Sequence, residues 1–260
     1  MKRLIFFYLG LGSLLYASGY ESYLHFLQNF TPHLGSFKEG EIEIVTDPKG
    51  IAEVEEIMKN RLIGLGYSKD DAHHYSRVGI ITEDHYWLWI RDAVIFPTGH
   101  KGTYNRILWR TQLTGTPAVM VLPTFPDGRI GLVLNYRHAT RNWHVQFPFG
   151  LRRKDESAAQ AASRELKEEI GFEVDQVQHI IDFTPDNGVC ATTMPLFRGM
   201  IRKTGRSAHD LTEAVEKMVI LSKAELLEGL KNGHLTVTIK GKSRSVACDD
   251  PALFYATLPE

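Results

Sequence analysis

The stretch Gly150–Phe172, GLRRKDESAAQAASRELKEEIGF, constrains this chain more than any other. It opens on a glycine, crosses a short basic loop to Glu156, and continues as a segment rich in Ala, Leu, Glu and Lys. Such residues favour helix, so a helix is expected from Ser157 to Ile170, and Gly171 stands where it should stop. Glu165, Glu168 and Glu169 occupy positions i, i+3 and i+4, which places three carboxylates on one face. Ala159, Ala162, Leu166 and Ile170 are expected on the opposite side, packed on a sheet. Like charges at this spacing repel unless a cation compensates them. Carboxylate oxygens are hard ligands suited to Mg²⁺ or Mn²⁺, and Mg²⁺ usually takes waters and substrate phosphates as its other ligands. The pattern therefore points to phosphate-ester or diphosphate chemistry.

Gly150, five residues, Glu156, seven residues and then Arg164-Glu165-Leu166-x-Glu168-Glu169-x-Gly171-Phe172 resembles the Nudix box, the signature of the Nudix hydrolases. Phe172 is the one soft departure, because an aliphatic residue is usual there. The resemblance implies an α+β fold: a Nudix-type α/β/α sandwich with a mixed sheet, here behind an N-terminal extension. It also implies a divalent metal, Mg²⁺ or Mn²⁺. Glu165 and Glu169 would be direct ligands, Glu168 a third or bridging ligand, and the carbonyl of Gly150 or Phe149 would complete the shell. Glu156 would hold a further ion or brace the helix. Arg164 would pair with a glutamate and fix its rotamer, and so joins Glu165 and Glu168 in the catalytic set.

Features outside the box resemble the ADP-ribose pyrophosphatase branch. They are Asn135-Tyr136-Arg137-His138, the lead-in from Trp143 to Gly150, Pro185 thirteen residues beyond Phe172, and Asp249-Asp250. That likeness implies hydrolysis of ADP-ribose to AMP and ribose 5-phosphate. The alternatives are another nucleotide sugar or dinucleotide, or a nucleotide-binding sensor without turnover. Two departures bear on the substrate: Gln146 replaces a usual glutamate, and the loop Leu151–Lys154 is basic, which suits an additional phosphate. Arg137 has the planar fork that suits phosphate oxygens, and reads equally as a surface arginine at a strand end. Phe149, Trp143 and Tyr104 are candidates to stack on a base, with Phe149 preferred. The branch takes its general base from a loop near the last core strand, where Asp210, Glu213 and Glu216 are the candidates and Glu213 is favoured.

The rest of the chain adds context. Net charge is −1, with 43% hydrophobic and 23% charged residues, so no global field favours nucleic acid. Met1–Gly19 has Lys2-Arg3, an apolar run from Leu4 to Tyr16 and small residues Ala17-Ser18-Gly19, the layout of a secretory signal peptide. Export, to the periplasm, is the expectation, with an uncleaved membrane anchor or a cytoplasmic protein as alternatives. Residues 20–75 read as an extension and 76–260 as the hydrolase domain, whose first strands are expected at Trp87–Phe96 and Tyr104–Thr111. Further strands are expected at 118–122, 130–136, 174–183, 190–201 and 215–221, with a polar loop over 202–212. A helix capped by Ser222 and a last helix over 249–258 close the pattern. Cys190 and Cys248 are expected as isolated thiols, though export would allow them to pair. The family resemblance also implies a homodimer that exchanges N-terminal strands.

Overall fold

The computed structural model describes residues 19–115, 118–204 and 215–258. The chain forms two compact units, one of Met1–Thr114 with Asp186–Thr192 and one of Gly115–Pro185 with Thr193–Glu260. Among the described residues no helix is long and apolar enough to cross a membrane.

The first unit packs helices on one small sheet. Helix α1, Gly19–Phe30, presents Tyr23, Phe26 and Leu27 at i, i+3 and i+4, and all three are buried. A short strand β1, Glu43–Ile44, leads to α2, Pro48–Gly64, which starts under an Asp47 cap that accepts from the Gly50 N–H at 2.7 Å. Helix α3, Lys69–Ser76, begins in the same way on Ser68. Strands β2, Gly79–Glu83, β3, Trp87–Ile95, and β4, Lys101–Trp109, are antiparallel, and the short helix α4, Arg110–Leu113, follows. β4 covers one edge of β3 along its whole length, while β1 and β2 share the other edge.

The strands expected to open the hydrolase domain thus belong to this sheet. They are tied to the N-terminal helices by one core that contains Ile51, Val54, Leu88, Ile90 and Leu108. The units divide at Thr114/Gly115, whereas residue 75 lies inside α3. Cys190 does not open a strand of the second unit. The turn Asp186-Asn187-Gly188 brings Val189–Ala191 alongside β4, where the Ile107 N–H donates to the Val189 carbonyl and the Ala191 N–H to the Ile107 carbonyl.

The second unit has strands β5, Ala118–Thr124, β6, Ile130–Arg137, β7, Asn142–Gln146, and β8, Phe149–Leu151, before helix α5, Ala158–Ile170. Strands β9, Phe172–Phe183, β10, Met194–Thr204, and β11, Val215–Leu221, follow, so β10 extends into the span expected as polar loop. Helix α6, Lys223–Asn232, carries the Ser222/Glu225 capping box. A hairpin with no expected counterpart, β12, His234–Ile239, and β13, Lys242–Ala247, comes next. The expected last helix is a 3₁₀ segment, Pro251–Ala256, capped by Asp250.

The sheet order is β12-β13-β7-β6-β5-β10-β9, with β11 on β6 and β8 on β5. β5 and β10 run parallel and most other pairs are antiparallel, which gives the expected mixed α/β architecture. β5 and β6 share a single ladder pair, Thr124↔Ile130, so the chain splits there into two half-sheets. All seven residues of β5 are buried, as a strand covered on both faces requires. Helix α5 packs on this strand and on β10 through Ala161, Ala162, Leu166 and Ile170, which meet Val119, Val121, Phe197 and Ile201. Ala159 is exposed instead of packed, because the 3.6-residue period carries the buried stripe through Ala161 and Ala162.

Candidate active site around helix α5

Helix α5 is fixed at both ends by its own sequence. Ser157 accepts from the Gln160 N–H while the Gln160 side chain accepts from the Ser157 N–H, a complete capping box. Gly171 ends the helix at φ 72°, in the left-handed region that suits glycine. Glu165 and Glu169 therefore stand one turn apart, and both are buried, at 7% and 6% exposure. Glu168 is half-buried. Carboxylates are rarely buried this deeply without compensation.

Part of the compensation is Arg164. Its guanidinium donates to both oxygens of Glu156, at 2.9 and 3.0 Å, to Glu165 at 2.6 Å, to Glu168 at 2.8 Å and to the Leu151 carbonyl at 2.9 Å. These contacts raise the Arg164 pKa, with Glu156 the main cause, and the Arg164 fork holds the Glu156 carboxyl below the usual carboxylate range. Arg153 adds a second cation: its side chain donates to Glu168 at 2.8 Å and its backbone N–H to Glu156 at 2.9 Å. The expected basic loop is thus divided. Arg152 is spent on the Glu156 and Gly115 carbonyls, and Arg153 reaches the acidic cluster. Nothing in the sequence pattern had marked Arg153 as a partner of Glu168.

Gly150 pairs with Val119 of β5 and lies directly against Glu165. A Cβ at Gly150 would sit 2.2 Å from Glu165 Oε1, so the carboxylate fills the space a side chain would need. The neighbouring residue begins a second group. Arg137 donates to Gln146 at 2.5 Å, and its guanidinium lies 4.6 Å from the Phe149 ring centroid, within cation–π range. The β6–β7 register puts Arg137 and Gln146 on the same face. Phe149 and Gly150 are consecutive on β8, so their Cβ directions face opposite sides of the strand. Trp143 packs edge-on against Tyr136, away from this stack, and Tyr104 belongs to the first unit, where its hydroxyl donates to the Gly188 carbonyl. Buried His144 links Thr140, 2.7 Å from Nε2, to Asp249, 3.1 Å from Nδ1, and so ties the C-terminal segment to β7.

The donor chemistry suits a hard divalent ion: two buried carboxylates lie one turn apart, with the Gly150 backbone against one of them. Among the described residues, no three carboxylate, imidazole or thiol groups converge on one point. Arg164 instead bridges Glu165 and Glu168, and Glu156 is engaged by Arg164 and Arg153. Asp210 and Glu213 lie outside the described residues. Glu216 lies on β11, and its side chain is also outside them. Cys190 and Cys248 are both free, and burial pushes the Cys248 thiol up to about 11.

The NUDIX domain family model matches residues 114–238, a span that contains every side chain of this acidic cluster. Residues 114–238 are a NUDIX domain. The chain is 40% identical over 68 residues to the ADP compounds hydrolase NudE of Escherichia coli (strain K12), a match over 26% of this chain and 36% of that one. It is 29% identical over 120 residues to the methanol dehydrogenase activator of Bacillus methanolicus, over 45% of this chain and 64% of that one. The matched part is thus less than two thirds of either relative. A crystal structure of ADP compounds hydrolase aligns at a TM-score of 0.50 and 23% identity, over 60% of this chain and 80% of that one, which establishes the shared fold.

Proposed function

We propose that this chain hydrolyses a diphosphate linking a nucleoside to another group, and that the substrate is ADP-ribose, cleaved to AMP and ribose 5-phosphate. The observation that carries the reading is the close fit of Gly150 against Glu165, with Arg164 holding Glu165 and Glu168 inside a NUDIX domain. The ADP side rests on the name of the E. coli relative and on the Tyr136-Arg137 and Trp143–Gly150 segments.

Glu165 and Glu169, with Glu168 and the Gly150 carbonyl, would hold Mg²⁺ or Mn²⁺, which supplies charge neutralisation on the diphosphate and lowers the pKa of a bound water. The chain's own residues do the rest. Arg164 keeps the glutamates in their rotamers, and Glu156 anchors Arg164 in turn. Arg137, which stacks on Phe149 and bonds Gln146, is the proposed phosphate contact. Glu213 is the proposed proton acceptor, on sequence grounds alone. Water adds at one phosphorus, the bridging P–O bond breaks, and its electron pair leaves with the second phosphate. Positioning and charge stabilisation lower most of the barrier.

The test is a Mg²⁺- and Mn²⁺-dependent screen of diphosphate compounds with the products identified. Release of AMP from ADP-ribose is expected, and exclusive cleavage of triphosphates would overturn the reading. Arg164→Ala should lower turnover by about 10- to 100-fold, because it frees the carboxylates it orients. If Glu168→Gln and Glu169→Gln leave function unchanged, the domain is a binding module. We also place the mature protein outside the cytoplasm, on the Met1–Gly19 pattern, as a homodimer. A soluble cytosolic product that still starts at Met1 would end the export reading, and light scattering decides the oligomer.

A further inference from the structure

The NUDIX match starts at residue 114 and leaves the first unit's sheet without an assigned role. That sheet gathers three of the chain's four tryptophans on one face. Trp87 and Trp109 are direct cross-strand partners with their rings edge-on at 5.1 Å, and Trp89 pairs with Ile107 on the same face. Beside them lies a cavity of about 380 Å³ lined by Thr82, Glu83, Asp84, Trp87, Trp89 and Ile107. Its volume is within the range of small-molecule sites.

The polar groups around it are mostly committed. The Trp89 indole N–H donates to Asn105 at 3.2 Å, which leaves its apolar ring faces for contact. One of those faces already serves a cation, since the Arg91 guanidinium sits 5.7 Å from the ring centroid. Glu83 is paired with Arg110. Asp84 differs. One of its oxygens accepts from the Tyr86 and Trp87 N–H groups, each at 2.7 Å, and these bonds keep the carboxyl ionised at the tip of the β2–β3 hairpin. His85 and Arg110 are the cationic groups near enough to act on Asp84, and Arg110 is neutralised by Glu83. The lining thus combines two indoles and Ile107 with Thr82, the Arg110-paired Glu83, and the pre-oriented negative charge of Asp84.

An alkylated ammonium group needs aromatic faces and one counter-charge. We propose that this cavity binds a small organic cation, a quaternary or alkylated ammonium group with an apolar body, against Trp87 and Trp89 and beside Asp84.

The test uses the full chain, tryptophan fluorescence, and two probes of the same shape. Choline carries the charge, and 3,3-dimethyl-1-butanol replaces its nitrogen with carbon. Saturable quenching by choline is expected, at least about tenfold tighter than by the neutral isostere. Asp84→Asn keeps an oxygen to accept from Tyr86 and Trp87, so the hairpin should survive with an unchanged melting temperature while choline affinity drops several-fold. Trp87→Ala should weaken choline binding as well, with the far-UV circular dichroism retained. Equal affinity for the two probes, no saturation, or an affinity unaffected by Asp84→Asn in a folded variant would each overturn the proposal. So would quenching that tracks protein concentration, because a second copy would then be what covers the tryptophans.

Discussion

Each unit builds an arginine into a set of acidic and hydroxyl groups, and the two sets close differently. In the first unit, Asp92 accepts from Arg106 at 2.7 and 3.2 Å and from the Tyr23 hydroxyl at 2.8 Å, and Arg106 also donates to Thr31. One carboxylate meets one guanidinium, Asp92 is almost fully buried, and Arg106 lies over the Phe26 ring. In the second unit, three carboxylates, Glu156, Glu165 and Glu168, share the Arg164 and Arg153 guanidiniums. The first set balances its charge and fastens α1 to the sheet. The second gathers three carboxylates, the buried Glu165 among them, around the Arg164 and Arg153 guanidiniums beside helix α5.

The largest expected effect falls on the balanced network. Asp92→Ala leaves the partly buried Arg106 without its counter-ion and should cost about 3 kcal/mol, the low end of the penalty for breaking a buried pair. Urea unfolding followed by the first unit's tryptophans measures it. A loss below about 1 kcal/mol would mean that the network is solvated and that the contrast between the two units is wrong.

Next is the response of the second unit to divalent ions. Mg²⁺ at a hundred times its dissociation constant should stabilise the NUDIX domain by about 2.7 kcal/mol. Glu165→Gln with Glu169→Gln should remove that gain while leaving the apo protein as stable as before or more so, because two buried charges are gone. Calorimetry with and without the ion checks both halves. An ion effect that survives the double substitution would place the cation elsewhere.

The sequence exposed these two regions unequally, for physical reasons. Helix α5 was legible because its period, its serine cap and its terminal glycine are all local signals, and they agree. The pairing of Arg153 with Glu168 was not, since a loop side chain fifteen positions away carries no periodic mark. The division at Thr114/Gly115 was hidden for a related reason. An alternating strand such as β3 or β4 reads the same whichever sheet it joins, and its partners are set by long-range packing. Val189–Ala191 shows this most directly: its alignment with Ile107 is a contact across some eighty residues of sequence. The β12–β13 hairpin was missed because its alternation is polar and mostly exposed. Its turn does carry a local sign, Lys240-Gly241, with both residues at positive φ.

The smallest expected effect is the pH dependence of one group in each network, Glu156 and Tyr23, which runs in opposite directions. Glu156 has a folded pKa below its unfolded value, chiefly because Arg164 hydrogen-bonds the carboxylate. Its contribution is therefore present above the unfolded carboxylate pKa of about 4.3 and is lost as pH falls through the folded one. Tyr23 has a folded pKa raised far above 10 by burial and by Asp92, so its contribution is complete below pH 10 and declines as pH rises beyond it. Glu156 should then contribute to the acid limb of the second unit, where the first unit has its own lowered carboxylates in Glu56 and Asp84, and Tyr23 should contribute to the alkaline limb of the first. Glu156→Gln should flatten the acid limb and leave the alkaline one, and Tyr23→Phe should do the reverse. Hydrogen exchange followed peptide by peptide assigns each limb to its unit. If Glu156→Gln left the acid limb as steep as before, the carboxylate would be too well solvated for Arg164 to matter, and the orienting role given to Arg164 would fail with it.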